Sequence, residues 1–76
     1  MQKWEYVFVE CQGHGGQWRP KLVNGQELAD WKKGPAIHEY SNQLGQQGWE
    51  LVNLATGQTA GGATYHYRLT YKRPIP

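Results

Sequence analysis

The chain has 76 residues and a mass of 8.7 kDa, the size of one small domain spanning residues 1–76. Eight Lys and Arg against six Asp and Glu give a net charge of +2, too low for a dedicated DNA-binding protein. One cysteine excludes an internal disulfide. Because the sequence shows neither a long apolar run nor a signal-like N-terminus, we expect a cytoplasmic protein without a membrane span.

Size also bears on assembly. A chain this small, without a disulfide or a structural metal, buries little apolar surface on its own. Its ten aromatic residues, four of them Trp, supply large apolar side chains. We therefore expect a homo-oligomer, a dimer or higher, in which copies of the chain bury more surface together.

Residues 3–11 predict the first strand, since they are rich in β-branched and aromatic types and contain no Gly or Pro. Alternate residues place Trp4, Tyr6 and Phe8 on one face, and Val7, Val9 and Cys11 on the other. Both faces are apolar, which is typical of a strand that is covered on both sides.

The next segment predicts a hairpin. Residues 13–16 read Gly-His-Gly-Gly, which indicates a loop. Residues 18–23 have strand character, and Pro20 restricts them to a sheet edge. The Asn-Gly pair at 24–25 is the dipeptide most typical of a two-residue hairpin turn. We expect a β-hairpin arm from Trp18 to Leu28 that stands apart from the main sheet.

A helix is predicted between Pro35 and Gly48, because proline suits a first helical turn and glycine suits the position after the last. The stripe with helical spacing consists of Ile37, Tyr40, Ser41 and Leu44. Gly45 inside the last turn costs about 1 kcal/mol relative to Ala, which we interpret as a close approach of the helix to the sheet.

Two further strands are predicted at 49–55 and 63–73, with a glycine-rich loop at 56–62 between them. In the first of these, alternation puts Leu51 and Leu54 on opposite faces. The expected fold is α+β, with a three-stranded, mainly antiparallel sheet and one helix on one face. The other face would bind another subunit. The interface residues of this prediction are Trp4, Tyr6, Phe8 and Trp31.

Two sequence blocks resemble a family of small bacterial and phage proteins that is described only as a domain of unknown function. They are Lys-Trp-Glu-Tyr at 3–6 and Gly-Trp-Glu-Leu-Val at 48–52. The Leu-Gly pair at 44–45 and the closing Tyr-Lys-Arg-Pro at 71–74 are also similar to this family. The resemblance implies a β-α-β-β fold and no established activity, in a bacterial cell or in a phage-infected host cell.

Catalytic and metal-binding patterns are weak. Cys11 and His14 are three residues apart, but no Asp or Asn is placed to orient the histidine. Two ligands do not make a structural zinc site, and His38 and His66 are remote in sequence. The glycine-rich segment matches no nucleotide-binding fingerprint. We expect a protein that is not an enzyme and that carries neither metal nor cofactor. Glu5 and Glu50 are interpreted as carboxylates on a sheet face, and we expect Glu50 to pair with Arg68 or Lys72 across strands.

Binding has better support. Glycine N–H groups, arginine and flat aromatic rings are the groups that recognise phosphates and bases. They occur together in residues 13–19 and 56–68. The candidate ligand-binding residues are His14, Trp18, Arg19, Tyr65, His66 and Arg68.

The sequence is compatible with two functions. The first is sequestration of a small anionic, nucleotide-like ligand, as in phage proteins that capture the cyclic nucleotide signals of bacterial defence. The alternative is a homo-oligomeric protein–protein interaction module without a small ligand. A nucleic acid polymer is disfavoured, because the basic residues are scattered and diluted by acids.

Overall fold

The computed structural model describes residues 1–58 and 64–76. Within these residues the chain forms five strands, a short 3₁₀ helix and one α-helix. In chain order they are β1 (Lys3–His14), β2 (Gln17–Val23), β3 (Gln26–Glu27), the 3₁₀ helix (Trp31–Lys33), α1 (Ile37–Gln46), β4 (Glu50–Gln58) and β5 (Thr64–Ile75).

The five strands form one antiparallel sheet in the order β3-β2-β1-β5-β4. The predicted three-stranded sheet with a separate hairpin arm is therefore wrong. The predicted loop is in fact a two-residue turn, in which Gly15 and Gly16 have φ angles of 63° and 78°. Because these residues turn the chain so tightly, β1 extends to His14 and β2 pairs directly with it, from Gln17 onward.

The second hairpin has the predicted turn. Asn24 and Gly25 have φ angles of 51° and 83°, as an Asn-Gly turn requires. The Asn24 backbone N–H donates to the Phe8 carbonyl at 2.8 Å, and the Asn24 side-chain oxygen accepts the Phe8 N–H at 3.0 Å. β3 pairs only with Leu22 and Val23, so Pro20 has no β3 neighbour on its outer side. Its missing N–H removes no bond from that ladder.

The predicted helix is confirmed. It begins at Ile37, where the Ala36 N–H donates to the Glu39 carboxylate at 3.4 Å. It ends before Gly48, whose φ of 90° suits the residue after a helix. The predicted reason for Gly45 is wrong, because a Cβ added there would meet no heavy atom within 4 Å.

The core lies between α1 and the middle of the sheet. Its buried side chains are Val7, Val9, Cys11, Leu44, Leu69 and Tyr71, all at most 9% exposed. A hydrogen bond of 2.6 Å joins Ser41 Oγ to Tyr71 Oη and satisfies the phenol. Burial raises the pKa of the Cys11 thiol to about 12 and also raises the pKa of Tyr71. The core is therefore neutral at physiological pH.

β4 departs from the predicted alternation. A register shift at Val52 places Leu51 opposite Tyr71 and Leu54 opposite Leu69, so the two leucines share one face of the sheet. The prediction that they face opposite sides is wrong, because a bulge inserts one residue. The predicted loop start is also wrong, since β4 continues to Gln58; residues 59–63 lie outside the described part. No helix within 1–58 and 64–76 is long and apolar enough to cross a membrane.

Candidate interaction surface

The face of the sheet opposite α1, here called the open face, carries a line of aromatic side chains. Trp4, Tyr6 and Phe8 alternate along β1 with the core residues and are 41%, 50% and 49% exposed. These three residues are named the aromatic column. The rings of Tyr6 and Phe8 stack with centroids 6.5 Å apart. The Lys72 ammonium lies 4.1 Å from the ring centroid of Trp4, a cation–π contact. The column is thus ordered by its own contacts while half of it faces solvent.

Charges of both signs accompany the aromatic column. Arg68 on β5 lies opposite Glu10 on β1, and their side chains are 3.5 Å apart. Lys21 donates to Gln12 at 3.0 Å and lies 3.9 Å from Glu27. At the far edge Glu50 lies opposite Lys72 in the register. Acids and bases therefore alternate across neighbouring strands. The six charged side chains named here are three acids and three bases, so they carry no net charge.

Three of the predicted ligand-binding residues lie at the β1–β2 turn. His14 and Trp18 border an open depression of about 430 Å³. Trp18 packs edge-on against Tyr67, with centroids 4.5 Å apart. Arg19 donates from Nε to the His14 carbonyl at 3.2 Å and from Nη1 to the Gly34 carbonyl. Trp18 and Arg19 are therefore already engaged in contacts within the chain.

Two other predicted residues lie on β5. His66 and Arg68 line a depression of about 250 Å³ beside β4. The His66 ring covers Gly57, its cross-strand neighbour, so closely that a Cβ at position 57 would overlap it. Arg68 is paired with Glu10. The side chain of the sixth residue, Tyr65, lies outside the described part of the chain.

The sheet register brings these residues to the same end of the molecule without making one pocket. The β1–β2 turn and the start of β5 share that end, because Gln12 pairs with both Arg19 and His66. However, Trp18 contacts Tyr67, a neighbour of the core, whereas Arg68 pairs with Glu10 on the open face. The candidate residues are thus divided between the two sides of the sheet.

Trp31, which was predicted at the interface, lies in the 3₁₀ helix and outside the aromatic column. Its ring meets His14 edge-on at 6.0 Å. The ammonium groups of Lys21 and Lys32 lie 5.4 Å and 5.9 Å from its centroid. These contacts fasten the 3₁₀ helix beside the β1–β2 hairpin.

A charged contact that the sequence did not indicate lies at the other end of the sheet. Arg73 pairs with Glu5 and donates to the Gln47 carbonyl at 3.1 Å, while its guanidinium lies 4.3 Å from the centroid of Trp49. For Glu50, whose predicted partner is Arg68 or Lys72, the register places Lys72 opposite it. The antiparallel register of β1 and β5 decides the partner of Glu5, and that register could not be read from either strand alone.

The structure locates the Cys11 thiol and most of the side chains that could ligate a metal. Cys11 is 1% exposed, and its raised pKa keeps the thiol protonated at neutral pH. Among residues 1–58 and 64–76 no three His, Cys, Asp or Glu side chains are grouped to hold a metal ion. The open face, with its exposed aromatic column, is the feature of the described chain that most resembles a binding surface.

A comparison with curated proteins finds no match, and a comparison with solved structures finds none. A comparison with protein families matches the model of a domain of unknown function, DUF4177, over residues 4–74, which is nearly the whole chain. This agrees with the resemblance to a domain of unknown function, while the bacterial or phage origin stays a prediction. The chain belongs to the DUF4177 family.

Proposed function

We propose that the protein is a non-catalytic binding module and that its open face binds a second copy of the chain. The observation that carries the proposal is the aromatic column, three large apolar rings that are 41–50% exposed on one face. An aromatic side chain buries about 150–250 Å², so roughly 300 Å² of aromatic surface stays in contact with water. This area is comparable with the largest apolar patch of a typical monomer, and such patches are often functional.

The charges of the open face favour a copy of the same chain over a polyanion. Arg68 and Lys72 are balanced by Glu10 and Glu50 on neighbouring strands. A nucleic acid would meet these carboxylates as well as the cations, which lowers its affinity. A two-fold axis pairs residue i of one copy with residue j of the other and j with i, so a patch that holds charges of both signs can pair acids with bases across the contact.

The open face is large enough to hold a standard interface. The two larger dimensions of the molecule are 44 Å and 26 Å, which limit the face to about 1,100 Å². A standard interface buries about 800 Å² on each partner. Aromatic residues at the centre with charged residues around them also match the composition of such interfaces.

Sedimentation equilibrium tests this proposal with a matched pair of variants. Phe8→Lys places a charge in the aromatic column, and Gln43→Lys places the same charge on the exposed surface of α1. We expect Phe8→Lys to halve the mass of the sedimenting species and Gln43→Lys to leave it unchanged. Wild-type protein that sediments as a folded species of 8.7 kDa at 100 µM would refute the proposal.

A small anionic, nucleotide-like ligand is a second candidate function. The observation that favours it is the register that brings His14 and Arg19 to the same end of the sheet as His66. A panel of mono-, di- and cyclic nucleotides, each at 1 mM, tests it by thermal shift. A ligand at 100 times its dissociation constant adds about 2.7 kcal/mol. A rise in melting temperature that Arg68→Ala abolishes would support this function. If no nucleotide changes the melting temperature, the nucleotides of the panel are excluded as ligands.

A further inference from the structure

We infer that the outer edge of β4 is a second self-association site, where β4 of another copy adds antiparallel about a two-fold axis. This surface is distinct from the open face. The inference therefore goes beyond the proposed function and can stand or fall independently of it. It depends on three properties of β4: its length, its exposed leucines and the position of its single charge.

The two edges of the sheet differ in how they are protected. β3 has only two residues, one of them charged, and ends the sheet on that side. β4 has nine residues, Glu-Leu-Val-Asn-Leu-Ala-Thr-Gly-Gln, with no Lys, Arg or Pro. Proteins commonly protect an edge strand by shortness, lysine, proline, an inward charge or a bulge. β4 has a bulge near each end, and between the bulges, from 53 to 57, it has none of the other devices.

The apolar side chains of β4 are exposed where a neighbouring strand would cover them. Leu51, Val52 and Leu54 are 47%, 43% and 52% exposed. Leu54 borders a groove of about 290 Å³ on the helix side, whose other lining residues are Trp18, Ile37, Tyr67 and Leu69. A strand added next to Leu54 would place an apolar side chain of its own over this groove. The same leucine in a second copy supplies that group.

The position of Glu50 favours a second copy in the antiparallel sense. Glu50 is the only charged residue of β4 and lies at its first position. Antiparallel pairing places the two Glu50 carboxylates at opposite ends of the ladder, whereas parallel pairing in register would place them side by side. The pairing is limited by the register shifts at 51–53 and 57–58, which leave a regular segment of about five residues, 53–57.

A ladder of this length buries less surface than a standard interface, so we expect association at β4 to be weak and dependent on concentration. Association at β4 is also geometrically compatible with the proposed open-face dimer. The two-fold axis of antiparallel edge pairing is perpendicular to the sheet, whereas the axis of face stacking lies parallel to it. Two perpendicular two-fold axes that intersect generate a closed assembly of four chains, about 35 kDa in all.

Sedimentation velocity over 5–500 µM tests the inference with charge variants at the two edges. Leu54→Lys introduces a lysine into the centre of β4, and Gln26→Lys introduces the same charge at the β3 edge as the control. We expect Leu54→Lys to remove the largest species and to halve the limiting mass at 500 µM. Gln26→Lys should sediment as the wild type does.

A second variant tests the same edge in case Leu54→Lys does not fold. Thr56→Lys changes an exposed, polar residue of the same strand and should give the same halved mass with an unchanged circular dichroism spectrum. If Thr56→Lys and Leu54→Lys are both folded and retain the wild-type mass at 500 µM, the inference is wrong. The open-face proposal fails separately: Phe8→Lys would then leave the mass unchanged, while Leu54→Lys would reduce it from two chains to one.

Discussion

The two faces of β1 are both apolar, but one face packs under α1 and the other faces solvent. Val7, Val9 and Cys11 are 8%, 0% and 1% exposed beneath α1. The residues that alternate with them are larger and are about half exposed. Hydrophobicity along a strand therefore identifies which residues seek burial, but the neighbouring elements decide which of them the folded chain itself buries.

The helix explains this difference in quantitative terms. With ten residues, α1 spans about 15 Å, whereas the molecule is 44 Å long. α1 can cover the middle of one face only. On that face Leu51 and Leu54 of β4 stay exposed, and on the other face the aromatic column has no cover in the described chain. The following predictions test the contrast between the covered and the open face, from the largest expected effect to the smallest.

Leu69→Ala should have the largest effect on stability. Leu69 is 4% exposed in the core, and a buried Leu→Ala change costs about 2–5 kcal/mol. Urea unfolding at low protein concentration measures the loss. Thr70→Ala, one residue further along the same strand and on the open face, serves as the control and should cost at most about 1 kcal/mol, the range of strand propensities. Equal losses in the two variants would contradict the contrast between the faces.

Alkaline pH should destabilise the covered face through Cys11. Burial raises the pKa of its thiol from 9.0 to about 12, so the folded state keeps the proton after the unfolded state has lost it. The stability contributed by this group is complete below pH 9 and is lost as the pH rises from 9 to about 12. Thermal unfolding from pH 8 to 11 measures the loss.

Cys11→Ala is the control for this pH dependence, because it keeps Tyr40 and Tyr71, whose pKa values burial also raises. Its melting temperature should fall less steeply with pH than that of the wild type. Parallel slopes for the two proteins would show that Cys11 titrates normally.

Ser41→Ala should cost about 1–3 kcal/mol, because it leaves the buried Tyr71 hydroxyl without its partner at 2.6 Å. Tyr71→Phe removes the other partner, and the double variant removes both. If the bond matters, the double variant should be less destabilised than the sum of the two single variants. Denaturant unfolding of all four proteins gives the coupling energy, and a value near zero would count against the bond.

Gly45→Ala should give the smallest effect and the opposite sign. The residue lies in α1 with open space around its missing Cβ, so alanine adds helix propensity of about 0.5–1 kcal/mol without a clash. A rise of a few degrees in melting temperature is the expected result. A destabilised Gly45→Ala variant would mean that another element packs against this side of the helix.

Local signals predicted the helix and the Asn-Gly turn because the physical causes act over a few residues. Pro35, the Ile37–Leu44 stripe and Gly48 each constrain the backbone beside them. The last strand was likewise predicted from strict alternation, with an error of one or two residues at its ends. The apolar character of both faces of β1 was also readable, since it depends only on which residues alternate.

The number of strands and the composition of the candidate site could not be predicted in the same way. Two adjacent glycines with positive φ can form a tight turn or part of a longer loop, and the choice depends on whether β2 finds a partner. The bulge at Val52 moves Leu54 to the other face without a residue type that announces it. The partner of Glu5 is Arg73, 68 residues away in the sequence, and it depends on the register between β1 and β5. Each of these features is decided by pairing between segments of the chain.

The two edge strands of the sheet differ in length, and this difference limits how copies of the chain could polymerise. If the β4 edge of one copy could add to the β3 edge of the next, chains would accumulate head to tail into a fibril. β3 has two residues, and the rest of that edge, residues 17–21 of β2, carries Arg19, Pro20 and Lys21, residue types that hinder the addition of a strand. If copies meet through β4, each therefore covers the other's β4 edge, and growth through this edge ends after one addition. A long, exposed edge strand is thus compatible with an assembly of limited size.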